Sequence, residues 1–128
     1  MTLSELATQY NAARPCAVLT VNNCVQALAM LLSMNHDAPL TEESQDGAFW
    51  GYKGQIHAIE NNALENTKTP FDVWVNDGSR GSTYKYLGQF VLDRVITDKA
   101  TVNEANLQIQ SQRQSVDRIF KLLRVQQS

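Results

Sequence analysis

Apolar and polar positions recur with different periods along the chain, and the period predicts the elements. In residues 3–12, LSELATQYNA, Leu3, Leu6 and Ala7 share one helical face behind Ser4 as N-cap. That predicts a short helix, ended by Arg14-Pro15. CAVLTV at 16–21 is a short apolar run with β-branched members and predicts a strand. Asn22-Asn23 then offers an N-cap to the apolar run CVQALAMLLSM, and the expectation is a buried helix over 23–34. Asn35 to Gly47 is polar, carries Pro39, and reads as a loop with a turn of helix at TEES.

The pattern changes from Trp50 onward. GYKGQIHAI suggests a loop entering a strand, and IENNALENTK a short helix punctuated by Thr69-Pro70. PFDVWV alternates strictly, with Phe71, Val73 and Val75 on one face and Asp72 and Trp74 on the other, as in a half-buried strand. Asp77-Gly78 signals a hairpin turn. TYKYLGQFVLDRVI is a long second strand whose Gly88 marks a bulge or a close backbone approach. Residues 97–115 read as a long polar loop or a weak helix (ATVNEANLQIQ), and RIFKLLRV as the last strand. The elements add up to an α+β fold over one domain, 1–128. N-terminal helices pack on a curved antiparallel sheet or a small pseudo-barrel.

Composition narrows this only a little. With 128 residues and 43% hydrophobic content, the chain can bury one core. A disordered tail, a collagen-like repeat and a coiled coil are excluded. A net charge of −2 argues against a binder driven by a strong positive field. The charge is unevenly divided, however. Residues 1–49 carry −4, with Arg14 the one basic residue, and residues 50–128 carry +2. An anion-binding surface is therefore expected in the C-terminal two thirds. The acidic first third suits a protein partner instead.

The longest apolar stretch, Cys24 to Met34, is interrupted by Gln26 and Ser33 and is too short to span a bilayer. The N-terminal residues lack a basic segment leading into an apolar one. The expected location is cytoplasmic, with Cys16 and Cys24 as reduced, buried thiols. Cys24 at a helix N-terminus, with His57 downstream, raises the possibility of an activated thiol, but no orienting partner is evident. His36 and His57 lack metal-ligand spacing, so no metal or cofactor is expected. GYKG at 51–54 and GSRG at 78–81 flank basic residues with glycine without forming a P-loop. Arg80, at the hairpin tip, is the preferred phosphate contact.

One C-terminal pattern points to a family. Tyr84, Tyr86, Leu87, Gly88, Phe90 and Val91 form a strand of the kind YxYLGxF. After a variable segment, Phe120, Leu122, Leu123, Arg124 and Val125 close it with FxLxRV. Over about residues 50–126 this resembles the SRA (SET- and RING-associated) and PUA-like accessory domains that read modified bases beside HNH nuclease domains in modification-dependent restriction enzymes. Leu87 stands where the SRA pattern carries an acidic residue, and the chain has no HNH constellation. The resemblance implies a non-catalytic pseudo-barrel that binds modified DNA in restriction or phage defence. A base taken out of its stack is held between rings and read along its edge. Trp50, Tyr52, Trp74, Tyr84 and Tyr86 are the candidate ring platforms. Asp72, Asn76 and Asp77 are candidates for the base edge. Arg80, Lys85, Arg94, Arg113, Arg118 and Arg124 are candidates for phosphates.

Overall fold

A computed structural model describes residues 1–12, 14–31, 41–52, 55–76, 83–108 and 115–125. The order of elements is α1 (Leu3–Gln9), β1 (Val18–Val21), β2 (Cys24–Leu31), β3 (Asp46–Tyr52), α2 (Gln55–Glu65), β4 (Phe71–Asn76), β5 (Lys85–Ile96), α3 (Lys99–Gln108) and β6 (Val116–Arg124). All six strands join one sheet in the order β1-β2-β4-β5-β6-β3. The fold is α+β, as the patterning predicts. Four strand pairs are antiparallel, but β2 and β4 run parallel, so the sheet is mixed.

The first third departs most from expectation, since its described residues form one helix and mainly strands. Asn22 and Asn23 both take positive φ, 52° and 64°, and sit between the paired residues Val21 and Cys24. Two consecutive left-handed residues make a type I′ hairpin turn, which Asn tolerates better than other non-glycine residues. The expected N-cap is therefore a hairpin tip, and the expected helix over 23–34 is strand β2 for as far as it is described. The apolar run has a simple cause. Val25, Leu28 and Met30 face one core cluster, while Ala27 and Ala29 face another. A strand covered on both faces is apolar throughout, just as a buried helix is.

The main core lies between the sheet and α2. Leu64 of α2 packs there with Phe49, Phe71, Val73, Phe90, Phe120 and Leu122. On the opposite face, α1 sets Leu6 and Ala7 against Leu19, Ala27 and Ala29, whose small side chains let the helix approach. Also on that face, α3 sets Ala105 against Ala48, Trp50, Val116 and Ile119. The three helices therefore cover both faces incompletely.

Other boundaries shift for local reasons. Thr2, not Ser4, caps α1: its hydroxyl accepts from the Glu5 N–H and the Glu5 carboxylate accepts from the Thr2 N–H, a capping box. The segment QIHAI belongs to α2 and not to a strand. Residues 99–108 realise the weak helix, with Asp98 accepting from the Thr101 N–H. Strands β4, β5 and β6 lie where the alternation places them. Among the described residues, no helix is long and apolar enough to cross a membrane.

Candidate functional site

Gly88 shapes the middle of the sheet. Its φ is +134°, and the register between β4 and β5 shifts beside it, from Val73 opposite Gly88 to Trp74 opposite Tyr86. Of the two readings that the sequence leaves for Gly88, a bulge or a close backbone approach, the register shift is the bulge. The extra residue, Leu87, turns into the α2-side core, and Tyr86 is left beside Trp74 on the other face. The two rings stand 5.2 Å apart at 55°.

Asp72, two residues before Trp74 on the same face, completes the group. Tyr10, the C-cap residue of α1, donates its hydroxyl to Asp72 Oδ2 at 2.5 Å. Tyr86 donates to Asp72 Oδ1 at 3.1 Å. Trp74 Nε1 donates to the Tyr10 hydroxyl at 2.9 Å. The carboxylate is thereby held by two phenols beside two rings, and Tyr86 is 50% exposed. Each carboxylate oxygen has a further lone pair, so the group can still accept N–H donors from outside. Gln89, directly opposite Asp72 in the register, adds an exposed amide.

Burial pushes the Tyr10 phenol up to about 12, with the hydrogen bond to Asp72 as the next cause. The Tyr86 phenol is also raised, first by burial and then by the Asp72 charge. A phenol released by unfolding titrates near 10. Raised phenol values mean the folded state holds its protons longer. This contribution to stability is complete below about pH 10 and is lost as pH rises toward about 12. Stepwise denaturation between these values should show falling stability, and Tyr10→Phe should flatten the fall. An unchanged slope in that variant would show that the Tyr10 bond does not carry it.

The remaining predicted residues divide clearly. Trp50 is 1% exposed beneath α3, so it offers no platform to a ligand. Tyr84 is half-buried against α1, with its phenol raised by burial. Tyr52 ends β3 opposite Val116, and Asn76 ends β4 half-buried. Lys85 and Arg94 are exposed on β5. Arg118 is engaged by Asp117, Glu65 and Asn62, which ties β6 to α2.

Arg124 is not presented to a phosphate. Its Nε donates to Ser44 O, Nη1 to Leu87 O and Nη2 to Thr41 O, and the guanidinium lies 4.8 Å from the Phe90 ring centre. Asp77, Arg80 and Arg113 lie outside the described residues, as does His36. Cys24 is exposed at the head of a strand, so no helix dipole acts on it, and Cys16 is half-buried. Neither thiol is fully buried, contrary to expectation.

Tyr10 and Gln89 went unnoticed in the sequence. Tyr10 meets Asp72 across 62 positions, and no local signal announces such a contact. Gln89 faces Asp72 through the β4–β5 register, and the bulge brings Tyr86 to the same face. The site is an open patch on the sheet. Hollows lined by described residues lie elsewhere: one of about 530 Å³ runs along α1 from Ser4 to Pro15, and another lies beside Ile59 of α2.

No protein-family model matches this chain, and no curated protein matches it. Among solved structures it is similar to one described as the crystal structure of KRYPTONITE in complex with mCHG DNA and SAH. The TM-score is 0.46 and the identity 13%, over 98% of this chain and 26% of that one. This chain thus spans about a quarter of that structure's length. A likeness at that score fixes neither family nor function.

Proposed function

We propose that this protein is a non-catalytic nucleic-acid-binding module whose base-reading element is Asp72 with Tyr86 and Trp74. The observation that supports this most directly is a carboxylate pinned by two phenols beside a half-exposed ring. Stacking on an aromatic side chain contributes roughly 1–3 kcal/mol per base. A fixed carboxylate is complementary to an exocyclic base amine, and cytosine is the base whose major-groove edge offers only a donor, its N4 amine. A methyl or hydroxymethyl at position 5 of the ring would add contact with Trp74 or Tyr86. Modified cytosine is accordingly the preferred target, in line with the SRA-like strand pattern of β5 and β6.

Fluorescence anisotropy tests this with oligonucleotides, single- and double-stranded, carrying cytosine, 5-methylcytosine or 5-hydroxymethylcytosine. A modified form should bind more tightly than plain cytosine. Tyr86→Ala should weaken that binding by roughly 5- to 150-fold, the range that the stacking energy corresponds to. Asp72→Asn keeps an acceptor for the phenols but turns an amide donor toward the base amine, and should remove the preference for cytosine. Wild-type binding by both variants would overturn the reading. So would failure to bind any of the oligonucleotides, which would favour a protein partner for residues 1–49.

A further inference from the structure

On the sheet face opposite α2, α1 covers the β1-β2-β4 end and α3 the β3-β6 end. Among the described residues, a strip along β5 between them is left uncovered. Cross-strand partners share a face, so the register identifies its side chains. Tyr86 begins the strip and Arg94 ends it. Midway, Val91 stands opposite Leu123, which is 41% exposed. Lys121 stands directly opposite Arg94. Two like charges in directly opposed positions repel one another. Neither forms an ion pair among the described residues; Asp46, on this face by register, lies opposite Leu123, and Asp93 is the bulge residue beside Arg94. Tyr86 and Arg94 are eight positions apart, but bulges at Leu87 and Asp93 leave six paired steps between them, which is about 20 Å along the sheet.

We infer that this strip is a track for single-stranded nucleic acid, with a base stacked at Tyr86 and a backbone phosphate held between Arg94 and Lys121. The inference rests on the base-reading role given to the Tyr86 cluster, and it adds the strand state. Charge complementarity selects the occupant, because an anion between the two cations removes their repulsion. The apolar middle of the strip selects the strand state. Val91 and Leu123 suit the faces of unpaired bases, whereas a duplex presents phosphates and groove edges. Sheet-face readers of single strands combine stacking rings with a few cations in this way, with sites of about 4 nucleotides or more.

The test is anisotropy with labelled oligonucleotides of 4, 8 and 12 nucleotides, matched against duplexes of the same sequence, over a salt series. Single strands should bind more tightly than duplex, and affinity should rise from 4 to 8 nucleotides. The R94Q/K121Q double variant should weaken single-strand binding about tenfold or more. It should also shallow the salt slope by about 0.7, the value for one lost phosphate contact on a single strand. Without ligand, R94Q should melt at a higher temperature than the parent, since the repulsion is gone, which also verifies that the variant folds. Tighter binding to duplex carrying a modified base would overturn the single-strand track and leave the base-reading role standing. Single-strand binding with an unchanged salt slope in the double variant would overturn the Arg94–Lys121 contact alone. Binding to neither form would overturn both.

Discussion

Replacing Arg124 by alanine should destabilise the protein by about 3–5 kcal/mol, read by urea denaturation. Each nitrogen that donates from this guanidinium meets a different backbone carbonyl: Ser44, Leu87 and Thr41. A hydrogen bond to a charged group contributes about 1.5–3 kcal/mol, and three on one side chain do not add in full. The alanine also removes the guanidinium from the Phe90 ring. Lysine cannot reproduce the planar fork, so Arg124→Lys should recover less than half of the loss. Gly88 offers a second check. A Cβ there would lie 2.5 Å from Arg124 Nη1, and φ is +134°. Gly88→Ala should therefore cost more in the parent than in the Arg124→Ala background, where only backbone strain remains. A loss below about 1 kcal/mol for Arg124→Ala would show that these bonds merely replace water.

Trp50→Ala should cost about 3–5 kcal/mol, with no change in nucleic-acid affinity under conditions where the variant is folded. The indole is packed with Ala48, Ala105, Val116 and Ile119, with Ile96 alongside. Small alanines surround it on both elements, and they cannot expand to fill the space it leaves. The cost of such a cavity depends on how far the walls collapse. Tyr86→Ala should show the opposite profile, with a small loss of stability and a large loss of binding, because its ring is half exposed. If Trp50→Ala were folded, stable and binding-deficient, the assignment of Trp50 to the core would fail.

These two residues show how far patterning reaches. Trp50 and Tyr86 are both candidate ring platforms in the sequence. What separates them is cover. Helix α3 lies over Trp50, while Tyr86 is half exposed, with no helix over it among the described residues. Arg124 is similar. A basic residue at the end of a strand reads as a phosphate contact until the loop at residues 41–44 brings its carbonyls alongside. The acidic first third also looks separable from the rest. Yet its strands β1 and β2, and the first residues of β3, belong to the same sheet, and Tyr10 reaches Asp72.

The sequence by itself determined β4, β5 and β6 and the α+β class, and it marked Gly88 as a bulge or a close backbone approach. Strict alternation belongs to a strand with one covered face, and a left-handed glycine is legible wherever a strand must admit it. Only the tertiary structure decided that residues 24–31 are a strand, because burial on both faces erases the period that separates strand from helix. It also decided the site. The Tyr10–Asp72 and Trp74–Tyr86 contacts form between segments brought together by chain closure and register, and neither is written in any local window of the chain.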